Sequence, residues 1–162
     1  MNKSKVMIVL LVIIIAVVSI LLSKKDKIET NDNGGVIENQ NTKIVLYFAN
    51  PKTGELIREY RNVDVENIKN DMPTTIINEL IKGPQNPELS TTISNATKVN
   101  SISIEKNKII IDFSKEFKEN TEDELKRLHK IYSVVNSLTE ITEINEVEIR
   151  VEGEFITSKV RL

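Results

Sequence analysis

The sequence predicts an α+β protein: a small β-β-α-β-β-α-β sandwich with two helices packed on one sheet, preceded by one N-terminal transmembrane helix. Three observations predict it. Apolar residues alternate with a period of two in some segments and recur every three to four residues in others. Turn and cap residues separate these segments. A charge-free apolar run stands by itself at the front of the chain.

That run, VMIVLLVIIIAVVSILL, begins at Val6 and ends at Leu22, with Ser19 its only polar residue. Its helix would be about 26 Å long, near the lower limit for crossing a bilayer. Being apolar on every face, it reads as a membrane span and not as a core helix. No small-x-small processing site follows it, and the chain has no Cys to carry a lipid. The expectation is an uncleaved anchor over residues 1–23 that holds the chain in the cytoplasmic membrane. The short tail stays inside and the C-terminal part lies outside, a single-pass arrangement. Residues 24–42 contain KKDK, NDNGG and ENQN and read as a flexible linker.

Residues 43–162 form the predicted domain. KIVLYFA, residues 43–49, is apolar on both parities, as in a strand covered on both faces. Asn50-Pro51-Lys52-Thr53-Gly54 is a turn. Residues 56–63 make a more polar strand at an edge. Asp71-Met72-Pro73 opens a helix, with Ile76, Ile77, Leu80 and Ile81 as its apolar stripe. Lys82-Gly83-Pro84 then invites two readings. A phosphate loop runs strand, glycine-rich loop, helix. Here the glycine follows the helix, so Gly83 reads as a left-handed helix stop and Pro84 as the residue that cannot continue it. Residues 97–105 and 108–113 pair as a hairpin, with Asn107 expected to take the positive φ. Thr121-x-x-Glu124 forms a capping box, and the helix behind it runs to Leu138 with Leu125, Leu128, Tyr132 and Val135 on its apolar face. In residues 146–151, Val147, Ile149 and Val151 point inward and Glu146, Glu148 and Arg150 outward.

Charge and chemistry narrow the function. The chain has 22 basic and 24 acidic residues, a net charge of −2, and residues 28–162 carry a net −6 because five lysines lie ahead of them with one acid. That sign argues against nucleic acid as a partner. Without Cys there is no thiol nucleophile or disulfide frame. His129 is the one histidine, and no serine sits in a G-x-S-x-G elbow. The acids Glu116, Glu119, Glu122, Asp123 and Glu124 lack calcium-loop spacing and suit a solvated helix start. Tyr47, Tyr60 and Tyr132 could stack on a sugar or peptide, and each also suits strand or core packing.

LYFANPKTGEL, IINELIKGPQNPELSTTISNATKVNSISIEKNKIIIDFSKEF and LKRLHKIYSVVNSLTEITEINEVEIRVEGE together resemble the GerMN domain of the GerM family of sporulation and spore germination proteins. The specific pieces are Leu46-Tyr47-Phe48, Leu80-Ile81-Lys82-Gly83-Pro84, Ile111-Asp112-Phe113-Ser114, the block from Ile131 to Thr139, and Val151-Glu152-Gly153. The resemblance implies one GerMN-like domain over residues 43–162, where GerM has two, on the outer side of the cytoplasmic membrane. It implies similarity to ring-building domains of secretion and sporulation machines. It brings no catalytic, cofactor-binding or metal-binding residues.

The expectation is therefore a non-enzymatic, membrane-anchored extracytoplasmic assembly or binding protein of sporulation or germination, with no cofactor. Its partners would be the membrane, through the run from Val6 to Leu22, and another protein or further copies of itself, through the α+β domain. The rival is a cell-envelope ligand-binding module, for peptidoglycan or a germinant, or an accessory to a wall hydrolase.

Overall fold

A computed structural model describes residues 41–119 and 123–160. The predicted anchor and most of the predicted linker lie outside them. No helix among the described residues is long and apolar enough to cross a membrane.

The first unit is a hairpin, β1 (Asn41–Ala49) against β2 (Leu56–Asp64), antiparallel in unbroken register from Asn41↔Asp64 to Ala49↔Leu56. Helix α1 (Val65–Ile81) follows directly. Asp64 caps it by accepting from the Glu66 N–H at 2.8 Å. Asp71 then leaves the helical region at φ −160°, ψ 88°, and a second helical segment begins. Pro73 explains the break: its ring has no N–H to give the preceding turn and crowds a carbonyl there. The Asp71 carboxylate accepts from the Thr74 N–H at 3.0 Å and from its hydroxyl at 2.6 Å, so it caps the second segment. The helix start expected at Asp71-Met72-Pro73 is this restart, one helical segment after the true beginning.

The second sheet holds β3 (Val99–Glu105), β4 (Lys108–Phe113), β5 (Glu146–Val151) and β6 (Glu154–Val160) in that spatial order. Strands β4 and β5 are parallel. They are joined through a 3-10 turn (Lys115–Lys118) and helix α2 (Glu124–Leu138). Ile109, Ile111, Phe113, Val147, Ile149 and Val151 form the inner face, each with no exposed surface. Burial of each contributes about 1.5–3 kcal/mol. Against them pack Leu46 and Phe48 of β1, Ile76, Ile77 and Leu80 of α1, and Ile131, Val134, Val135 and Leu138 of α2, in one core.

The α+β class stands, with two corrections. There are two sheets and not one, and β6 adds a strand beyond the expected order. The two sheets stay separate because α2 occupies the free edge of β1. The Tyr47 N–H donates to the Ser137 hydroxyl at 3.1 Å, and the Ser133 hydroxyl donates to the Tyr47 carbonyl. Helix hydroxyls one turn apart thus replace a neighbouring strand.

Three local expectations also change. In the β3–β4 turn Lys106 takes the positive φ of 57°. Asn107 instead accepts the Asn145 N–H on its carbonyl at 3.0 Å and leads β5 into the sheet. Asp123 caps α2, accepting from the Leu125 and Lys126 N–H groups at 2.9 and 3.2 Å, while Thr121 lies outside the described residues. Leu125, expected on the apolar face of α2, is 51% exposed.

Candidate functional site

The Lys82-Gly83-Pro84 stretch is a structural junction. Gly83 sits at φ +86° and donates its N–H to the Leu80 carbonyl at 3.0 Å, closing α1. Its own carbonyl accepts from Arg61 at 2.9 Å. Arg61 is 4% exposed and also bonds Glu59 at 2.5 Å, and both the carboxylate and the carbonyl of Glu79, at 3.0 and 2.9 Å. Glu59 in turn accepts the Gln85 and Asn86 N–H groups, each at 2.9 Å. Burial pushes the Glu59 carboxyl up, but those N–H groups and Arg61 outweigh it and hold the group below its ordinary value. Glu79 is held low likewise, burial being overcome by Lys82 and Arg61. A guanidinium thus occupies the helix end where the sequence invites thought of a phosphate.

Beside this junction lies an open groove of about 780 Å³. Its walls are the β1–β2 turn, the segment from Ser90 to Asn95, and the first half of α2. His129 lines it, with its Nε2 3.0 Å from the Gly54 carbonyl, so the ring ties α2 to the β1–β2 turn. Lys130, on the same wall, is 4% exposed and donates to the carbonyls of Phe117 and Glu119 at 2.7 and 2.5 Å. Burial pushes its ammonium down from its ordinary value.

The remaining candidates do not converge. Among the acids, Asp123 is a cap, Glu124 pairs with Arg127 at 2.5 Å, and Glu122 lies outside the described residues. No three His, Asp or Glu among the described residues form a metal cage. The Tyr47 hydroxyl donates to Glu140 at 2.6 Å and accepts from Arg58 at 2.7 Å, a packing role. Tyr132 packs on the core, and Tyr60 stands 62% exposed on β2. Ile104 on β3 and Phe155 on β6 are exposed at the two outer strands of the larger sheet. On that sheet's outer face Glu148 joins Lys108 at 3.0 Å and Arg150 at 2.6 Å, and the two cations hold its carboxyl below the ordinary range. The groove itself was not visible in the sequence. Its one signal was STTISNAT, a hydroxyl-rich run between helix stop and strand that no secondary-structure pattern absorbs.

The architecture defines an α+β module of two sheets and two helices, with a groove beside the β1–β2 turn. Its sequence matches, over residues 45–157, the model of a family described as sporulation and spore germination, and the chain belongs to that family. The tandem GerMN domains of the sporulation protein GerM from Bacillus subtilis superpose with a TM-score of 0.63 at 21% identity, covering 85% of this chain and 49% of that one. The first GerMN domain of the same protein gives 0.59 at 21% identity, covering 71% of this chain and 86% of that one. The fold is therefore GerMN-like, and the chain spans about half the length of the tandem structure. No curated protein matches the chain.

Proposed function

We propose that this chain is a non-enzymatic, membrane-anchored assembly or binding protein that works outside the cytoplasmic membrane in sporulation or spore germination. The family supports the process. The apolar run from Val6 to Leu22 supports the anchor. The carrying observation is the set of large apolar side chains left exposed on the strands: Tyr60 at 62%, Ile104 at 55% and Phe155 at 63%. Strand edges with exposed apolar groups are surfaces on which another chain can pair. The test is complementation of a deletion strain, scored by spore yield and germination. Tyr60→Glu is expected to impair both while circular dichroism stays unchanged; His129→Ala and Glu124→Gln are expected to leave both intact. Loss of activity in the His129 or Glu124 variants with the fold preserved would favour an enzyme instead. The groove favours a second reading, a ligand-binding module of the cell envelope.

A further inference from the structure

Two features of the groove go unused by a role based on strand edges. The first is backbone. The Ser90 N–H bonds the Ala49 carbonyl at 2.8 Å in an isolated antiparallel bridge, after which the chain bends at Thr92 and Ile93 along the groove wall. The next five N–H groups, from Thr91 to Asn95, make no hydrogen bond to a described residue, although Thr92 and Ile93 are buried. Buried N–H groups almost always have a partner. The second feature is charge. Lys126 and Lys130 lie one turn apart on α2 and both line the groove. The Lys126 ammonium bonds no described residue. Among the described residues the buried Lys130 ammonium donates to two carbonyls, and the Glu119 carboxylate acts on it electrostatically. Of the two acids on the lining, Asp123 is committed to the α2 cap and Glu119 is exposed. No Phe, Tyr or Trp is among the described residues that line the groove, which removes the stacking surface that sugars favour.

We propose that the groove binds an acidic peptide, its carbonyls on N–H groups of the Thr91 to Asn95 run and a carboxylate at Lys126. It rests on the reading of the domain as a non-catalytic binding module. The carboxylate can come from an acidic side chain or from a free C-terminus, and the same chemistry recognises both.

The experiment uses the whole 162-residue chain in mild detergent and three fluorescent five-residue peptides. One has a central glutamate and an amidated end, the second replaces glutamate by glutamine, and the third is the glutamine peptide with a free carboxyl terminus. Anisotropy titrations are expected to show at least one acidic peptide binding about tenfold or more tighter than the neutral one. Which acidic peptide wins identifies the source. Lys126→Glu is expected to abolish that preference, Lys126→Arg to keep it, and Lys69→Glu, on α1 away from the groove, to leave it unchanged. If Lys126→Glu fails to fold, Lys126→Gln decides. Equal binding of the neutral peptide, no binding of any peptide, or an undiminished preference in the Lys126 charge variants overturns the proposal. Because binding is read directly, such a failure leaves the complementation result for the strand edges untouched.

Discussion

A side chain at position 83 meets two obstacles. The backbone there is left-handed, and a Cβ would come within 2.7 Å of Thr91 Cγ2. Gly83→Val is therefore expected to destabilise the domain by about 1 kcal/mol or more, measured by urea unfolding. The helix stop was legible because glycine and proline act locally. Its partner was not. Arg61 and Glu59 made β2 look like a polar edge strand, yet they sit opposite Ile44 and Leu46, on the core side. Their charge is tolerated there because each group is bonded across eighteen or more residues of chain. Removing Arg61 leaves two inward carboxylates facing each other, so Arg61→Leu is expected to cost about 3 kcal/mol. The pH dependence follows. Glu59 and Glu79 are held below the ordinary carboxylate range when folded, so their stabilisation is present above that range and is lost as pH falls through their lower folded values. Acid titration of stability should show this loss in the native chain and a flatter slope in Arg61→Leu.

Helix α2 shows what a pattern can and cannot convey. Its length was legible from the 3.6-residue stripe, and it ends at Leu138 as expected. Its start was assigned to Thr121, whereas Asp123 is the residue whose carboxylate reaches two N–H groups. Asp123→Ala is expected to lower stability by about 1 kcal/mol in thermal melts. Strands β4 and β5 were found at their true bounds, because alternation reports burial. Their parallel pairing was invisible, since alternation says nothing about which strands are neighbours. Strand β6 was missed because Phe155 and Ile156 are adjacent apolar residues, and the pairing slips between Ile149 and Arg150, which breaks the two-residue rhythm. The division into two sheets depends on Ser133 and Ser137, residues that in sequence look like neutral helix filler.

At the scale of the molecule, the class and the order of elements through β5 were legible, and the groove was not, because it is assembled from three separate segments, one of them a hydroxyl-rich loop. The anchor is a matter of the residues ahead of the domain. If it is retained, mass spectrometry of membrane fractions will recover peptides from before Lys24 still joined to the chain. A mature N-terminus between Ser23 and Thr42 would show a cleaved leader instead. The same domain would then be released from the membrane, and contacts through Tyr60 or Phe155 would no longer be confined to one surface.

The hydroxyl seal on β1 carries a consequence for biosynthesis. Tyr47 is made first, and Ser137 follows ninety residues later. At about 5–20 residues per second, β1 spends roughly 5–18 s with its outer edge bare as the chain emerges. During that interval its unpaired Tyr47 N–H and C=O are open to any passing strand. The nascent chain therefore keeps this edge unprotected until residue 137 is synthesised.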